Sequence, residues 1–416
     1  MNYSCDPDGM IPGEEEGWSQ ALDRAYYLFP QLREWRRHFH AYPELSFQEY
    51  ESAAYIGQVL ESIPGMTVRR NIGGTQGVIG HVGDGGGKHI AIRADMDALP
   101  IDEPQGLEFS SAIPGVMHAC GHDGHMAVLL GAAHLIAEDV VHKHIPAEVS
   151  FIFQPAEETS DESGKTGAVH LIDAGVLDNV DAVLALHMDP GTPVGAIRLH
   201  EGICMANVDN FRARIKGQGG HGGYPHLAVD PLWILAPVLL AIHGIRARRL
   251  SPMDEAAISV CRIQGGTTNN VIPSFVDIEG TLRSYHDETR DLIITELRRA
   301  LEVAKTLGGD FELEVERGEP AVRNNADLNQ ILDRAVYRAI RSKPWRNGPF
   351  GMGGEDFGFM SRKVPGSLFF LGCAPSVEKT TSLHAPDFFL DERALPLGAA
   401  VLLEAVKGIA EPNGAE

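Results

Sequence analysis

Four short apolar runs, at residues 77–82, 89–94, 148–154 and 181–187, alternate in the first half of the chain with helical spacing at 124–137 and 167–174. Strands interleaved with helices in this way build an α/β layer whose sheet is largely buried. Two further helices, at 21–40 and 48–63, open the region on either side of the turn-forming Tyr42, Pro43 and Glu44.

A length of 416 residues exceeds what one core holds, since cores stop growing at roughly 250–300 residues. Two domains are expected, and the texture of the sequence changes near Gly202. An alternating strand at 210–216, a Gly-rich turn and a helix started by Asp230 and Pro231 follow, with Asp suited to the N-cap and Pro to the first helical position. Strands at 256–263, 276–284 and 311–316 and an amphipathic helix at 288–306 complete this insert. The chain then returns to a helix (327–341), a Gly-rich loop (348–354), a strand (367–371) and a last helix (395–409). The expected organisation is a catalytic domain in two parts, 18–202 and 319–416, interrupted by a smaller domain at 203–318.

The bulk properties narrow the partners. Acidic side chains outnumber basic ones 57 to 35, a formal charge of −22, which repels nucleic acid and anionic membrane surfaces. The longest apolar run, 232–242, falls short of the roughly 20 residues that cross a bilayer and contains Pro237. Neither nucleic acid nor a membrane is an expected partner. The segment 1–17 is an acidic leader, expected to fray, without the basic-then-apolar order of a signal peptide. Cys5, Cys120, Cys204, Cys261 and Cys373 are scattered and never spaced as CxxC, which argues against a disulfide framework and for a reducing, cytoplasmic setting.

Chemistry gathers at the strand ends. The run 89–94 leads into Asp95, Met96 and Asp97; 148–154 leads into Pro155, Ala156, Glu157 and Glu158; 181–186 leads into His187. In open α/β sheets ligands bind beyond the carboxyl ends of the strands, so these groups are expected to converge. Cys120 and His122 precede the helix at 124–137. On a helix they would point about 200° apart, so only a turn, eased by Gly121 and Gly124, brings both to one cation. Thiolate, imidazole and carboxylate together suit zinc, with manganese, cobalt or nickel as alternatives. Glu157 and Glu158, adjacent on an extended segment, are expected to face opposite ways and to divide the work. If Glu158 binds metal, Glu157 is left as general base toward a water at the metal and then as acid toward the leaving amine.

Each feature alone has a blander explanation. With 18 histidines in the chain, most are surface or satisfied core residues, and His134, His142 and His144 are read so. A Glu pair is commonly solvated, and a buried Cys is commonly a small hydrophobe. It is their convergence that favours metal-assisted hydrolysis. The Gly-rich stretch 217–223 lacks the Gly-Lys-Ser/Thr ending of a phosphate loop and reads as a tight turn bearing His221, and no G-x-S-x-G elbow supports serine catalysis.

From about Arg36 to the C-terminal helix the sequence resembles the M20 metallopeptidases, in the amidohydrolase branch of hippurate hydrolases, aminoacylases and auxin-conjugate hydrolases. The resemblance rests on Arg37-His38-Phe39-His40 with Pro43-Glu44, Arg93 to Pro100, His118 to Asp123, Pro155 to Glu158, Gly219 to Gly222, Asn270 to Pro273, Gly354 to Phe357 and Leu383 to Pro386. It implies a two-domain metallohydrolase with a mixed-sheet catalytic domain and an inserted α+β lid, or dimerisation, domain. It further implies two divalent metal ions per subunit held by Cys120, His122, Glu158, His187 and His384, with Glu157 as base and Asp97 as an orienting residue. His384 enters only through the resemblance, and Asp95 stands where the wider family carries a His ligand. On the lid, His221 and Asn270 match positions that hold the scissile carbonyl oxygen or the substrate carboxylate, Arg283 is a further candidate for the carboxylate, and Tyr224 would narrow the acyl pocket. The implied activity is hydrolysis of N-acyl amino acids by a homodimer or homotetramer joined through the lid. A small-peptide carboxypeptidase or dipeptidase is the alternative; a non-catalytic metal- or ligand-binding protein is disfavoured because Glu157 is present.

Overall fold

The computed structural model describes residues 19–346 and 348–411; the expected leader at 1–17 and the expected domain start at 18 lie outside them. In chain order come α1 (Gln20–Tyr27), α2 (Phe29–Ala41), α3 (Tyr50–Glu61), β1 (Thr67–Ile72), β2 (Gly77–Val82), β3 (Lys88–Asp95), α4 (His122–Val141), β4 (Ala147–Gln154), α5 (Gly167–Asp173), β5 (Ala182–Pro193) and β6 (Ile197–Arg198). The middle of the chain forms β7 (Asn207–Lys216), β8 (Gly220–His221), α6 (Pro231–Arg248), β9 (Ala256–Gly265), β10 (Val271–Ile272), β11 (Phe275–Ser284), α7 (Asp287–Leu301) and β12 (Asp310–Arg317). Then follow α8 (Ala326–Ile340), β13 (Gly366–Ala374) and α9 (Ala394–Ala410).

The chain separates into two compact units. One comprises the chain up to Gly202, Arg323–Gly348 and the stretch from Phe359 on; the other comprises Ile203–Val322 and Pro349–Gly358. The segment 349–358, expected in the second part of the catalytic domain, belongs instead with the insert. The Phe350 N–H donates to Cys204 O at 2.9 Å and the Tyr285 hydroxyl to Gly351 O at 3.1 Å, long-range bonds that leave no mark in local sequence.

In the first unit a seven-stranded mixed sheet runs β1-β2-β4-β3-β5-β13-β6. Its centre, β4-β3-β5-β13, is parallel, and β2 and β6 flank it antiparallel. Helix α4 is apolar on nearly every face and fully built into the core, between the sheet and α2 and α9. The helix expected at 21–40 is two helices, because Pro30 in the first turn of α2 has no N–H to donate and its ring crowds the carbonyl four residues back. Strand β1 escapes sequence patterning: its Thr-Val-Arg-Arg-Asn stretch is mostly exposed on a sheet edge, where only β2 pairs with it.

The second unit is a four-stranded antiparallel sheet, β9-β11-β7-β12, covered on one face by α6 and α7. Strand β7 alternates accordingly: Phe211, Ala213 and Ile215 are buried in this unit's own core, while Arg212 and Arg214 face out. The expected N-cap holds, with Asp230 Oδ1 accepting from Leu232 N–H at 2.9 Å. Both α4 and α6 are long and apolar enough to cross a bilayer by length and composition, but α4 is core and α6 packs on this sheet.

Candidate metal centre

The donors gather where the parallel strands end. Strands β3 and β4 finish side by side, with Asp95 paired to Gln154. Strand β5 runs on past its last β3 partner, Ala185, so His187 lies inside β5 rather than at its end. The turn expected before α4 is present: Gly121 takes φ +86° at the helix N-cap, a conformation that suits glycine. Cys120 and His122 thereby turn into the same buried space.

Donor atoms of Cys120, His122 and His187 lie within 4.8 Å of one another, and so do those of Cys120, Glu158 and His384. Two three-residue sets thus share one sulfur. His384 arrives from a distant loop; its φ is +58° and its backbone N–H donates to Ala119 O at 2.9 Å, next to Cys120. Its Nε2 is 3.0 Å from Glu158 Oε1.

Hydrogen bonds select which imidazoles can bind a cation. His122 Nδ1 meets Asp97 O at 2.8 Å and His187 Nδ1 meets Met188 O at 2.8 Å. Each carbonyl can only accept, so each Nδ1 carries a proton and Nε2 is the nitrogen left to face a cation, the arrangement that orients metal-bound histidines. His122 Nε2 is buried without a hydrogen-bond partner, and His187 Nε2 is 3.6 Å from Cys120 Sγ. His125 also lies close to Asp95 and His122, but both its nitrogens are spoken for. Its Nε2 accepts from Met188 N–H at 2.8 Å and its Nδ1 faces Asp95 Oδ1 at 2.6 Å. Asp95 gives its other oxygen to Arg93 at 2.8 Å, so the residue standing where the wider family places a ligand is committed to structural bonds.

Glu157 and Glu158 do not face opposite ways. Each places a carboxylate oxygen within 4.8 Å of the other and of a His122 nitrogen. They follow Ala156, whose φ of +48° bends the chain out of β4 instead of extending it. Asp97 holds this bend from below: its Oδ2 accepts from Glu158 N–H at 3.0 Å and from the Ser46 hydroxyl at 2.6 Å.

The electrostatics call for a cation. Burial opposes charge on His122, yet Asp95, Asp97 and Glu158 outweigh it and raise its pKa to about 10. Burial, then Glu158 and Glu157, push the Cys120 thiol well above the usual range. Burial also disfavours charge on Asp97, but its bond to His122 holds the carboxyl below its ordinary value. A soft sulfur, poised imidazoles and excess carboxylate, buried except for the exposed His384 ring, fit a divalent transition metal.

The remaining expected residues lie in the other unit. His221 pairs with Val271 across the β8–β10 ladder, and Asn270 O accepts from Gly222 N–H at 2.8 Å. The two line a cavity of about 820 Å³ together with Arg214, Gln264 and Phe275. His221 Nδ1 accepts from Gly223 N–H at 3.0 Å, which leaves its Nε2–H as a donor. Tyr224 is exposed beside it, the rings 5.2 Å apart. Arg283 does not line this cavity; it lies toward the far end of β11 from Phe275, roughly 25 Å away at ~3.3 Å per residue, with its Nε donating to Thr281 Oγ1 at 2.9 Å.

With the hydrogen bonds of His122, His125 and Asp95 assigned, two donor sets that share Cys120 stand at the end of a parallel sheet, with Glu157 beside them and outside both. That division of labour makes the protein a metal-dependent hydrolase. Residues 91–408 match peptidase family M20/M25/M40, and the chain belongs to that family. It is similar to thermostable carboxypeptidase 1 of Saccharolobus solfataricus, 36% identical over 391 residues, which cover 91% of this chain and 96% of that one. It is equally similar to N-acetylcysteine deacetylase of Bacillus subtilis, 36% identical over 402 residues, covering 92% and 100%. Among solved structures it resembles a Bacillus subtilis protein described as a dinuclear metal-binding peptidase of family M20, with a TM-score of 0.80 and 33% identity over 92% of this chain and 99% of that one.

Proposed function

We propose that this protein hydrolyses the amide bond of N-acyl amino acids, with two divalent ions held by Cys120, His122, His187, Glu158 and His384. The observation that carries the proposal is the sharing of Cys120 between two donor sets with Glu157 next to them. When bound, such ions polarise the scissile carbonyl and ease deprotonation of water. Glu157 takes the proton of the attacking water and returns it to the leaving amine nitrogen. Asp97 fixes the His122 tautomer's surroundings and the Glu158 backbone. Within the inserted unit, His221 Nε2–H and the Asn270 side chain are hydrogen-bond donors of the kind that suit a carbonyl oxygen or a carboxylate.

Zinc, manganese, cobalt and nickel all suit this donor set, and cobalt or zinc best match its sulfur. Free Cys120, Cys204, Cys261 and Cys373 support a cytoplasmic setting. The exposed apolar side chains of α6 support self-association through the inserted unit.

The similarity to a carboxypeptidase supports a second reading, cleavage of small peptides. The two are separated by metal analysis and a screen of N-acetyl, N-benzoyl and indole-acyl amino acids against dipeptides. Metal-dependent release of amino acid from blocked substrates is expected; an absolute requirement for a free α-amine would replace the first reading by the second. Glu157→Gln is expected to lose about 10²–10⁴-fold in kcat at unchanged metal content, and full activity in that variant would remove Glu157 as the base.

A further inference from the structure

Glu49, the residue that precedes α3, is buried with no exposed surface and lies 107 positions before the residue it contacts. Its Oε1 accepts from Ala156 N–H at 2.7 Å. Ala156 is the residue with φ +48°, a conformation in which an L side chain is strained and which therefore needs an outside hold. Its carbonyl is held as well, accepting from Gly167 N–H at 2.8 Å. A Cβ at Gly167 would come within 1.7 Å of Pro155 O, so the bend is seated against α5 as closely as backbone allows. Glu49 Oε2 is buried without a hydrogen-bond partner, so the carboxyl meets the cost of burial through the backbone N–H groups around it, that of Ala156 among them.

The brace extends to the neighbouring strand end. Three residues before Glu49, Ser46 donates to Asp97 Oδ2, and Asp97 Oδ2 in turn accepts from Glu158 N–H. The short segment from Ser46 to Glu49 therefore grips both the end of β3 and the bend after β4. We propose that Glu49 is a positioning residue: by holding the Ala156 amide it keeps the backbone bend that aims the Glu158 carboxylate at the metal donors and sets Glu157 beside it. Hydrogen bonding through Oε1 is the whole of the role, so an amide oxygen serves as well as a carboxyl oxygen. Burial, then the nearby Asp97, push the Glu49 pKa up to about 8, in keeping with a group that acts as a neutral acceptor.

The proposal rests on Glu158 being a ligand, and it is tested by cobalt(II) binding rather than turnover. Metal-free wild type, Glu49→Gln, Glu49→Ala, Glu49→Asp and Ala156→Gly, and Glu49→Ala combined with Ala156→Gly, are titrated with cobalt(II) while the visible bands and the sulfur-to-cobalt charge-transfer band are recorded. Glu49→Gln is expected to match wild type. Glu49→Ala, and Glu49→Asp, which is one methylene too short to reach the amide, are expected to bind about 10–100-fold more weakly, with altered visible bands but the Cys120 charge-transfer band retained. In the Ala156→Gly background, where positive φ carries no strain, the loss caused by Glu49→Ala is expected to shrink to within about threefold. Should Glu49→Ala not fold, Glu49→Asp carries the comparison. Wild-type binding by both Glu49→Ala and Glu49→Asp, equal loss in Glu49→Gln, loss of the charge-transfer band, or an undiminished loss in the glycine background would each overturn the proposal. A wild-type protein that binds cobalt(II) but cleaves no N-acyl amino acid would instead overturn the assigned activity and leave the positioning role standing.

Discussion

Cys120 and His122 answer the same carboxylate field in the same direction: the carboxylates keep a proton on the imidazole, raising its pKa to about 10, and burial with the carboxylates keeps one on the thiol. A metal ligand must shed both protons. In the metal-free protein at pH 7 each group lies below its pKa and is protonated, so loading the set that contains both releases about two protons, and affinity rises with pH by about two decades per unit over the neutral range. Calorimetric titration in two buffers of different ionisation enthalpy measures this directly; identical apparent enthalpies in both would show that no protons are exchanged. This much of the site was legible in sequence, because Cys120, His122, Glu157 and Glu158 carry chemistry on their side chains. Glu49 and Ser46 were not legible, since their work is a hydrogen bond to a backbone amide or a carboxylate far along the chain. His384 was visible only through the resemblance, because its place is set by a backbone bond to Ala119.

Elements with a strong period announced themselves, and elements defined by their neighbours did not. Strands β3, β4 and β5 are apolar because parallel strands at a sheet's centre are covered on both faces, and that burial is written in residue type. Edge strand β1 and the two-residue strands β8 and β10 have too little buried surface to leave such a mark. The same logic makes α6 informative. It packs one side on the sheet, yet Leu232, Trp233 and Leu240 stay exposed, Leu240 at 77%. Beside it, β9 forms an outer edge of its sheet. An apolar helix face next to an open strand edge is a surface suited to a second copy, which would cover both. Sedimentation of the wild type at micromolar concentration is expected to show a dimer or larger, and Leu240→Glu is expected to shift it to monomer without lowering Tm. A monomeric wild type would end the idea.

At the scale of the molecule, every expected metal ligand falls in one unit, although that unit is assembled from three stretches of chain, whereas the other unit has its own separate core. The sequence marked the start of the insert by a change of texture near Gly202, but not the later excursion of 349–358, whose bonds to Cys204 and Tyr285 are purely tertiary. This separation has a thermodynamic consequence. A ligand that binds only the folded form stabilises the unit that holds its site, by about 2.7 kcal/mol at a hundred times Kd. Without metal, that unit must also retain Asp95, Asp97, Glu157 and Glu158 close together, with the charges of His122 and Arg93 among those that offset their repulsion. Heating the protein in a calorimeter with and without a chelator should therefore move one unfolding transition downward by several degrees and leave the transition of the 203–322 unit in place. If the two units instead unfolded as one, a single peak would shift whole and the units would be energetically one body; if chelation moved nothing, the clustered donors would hold no ion that matters to the fold.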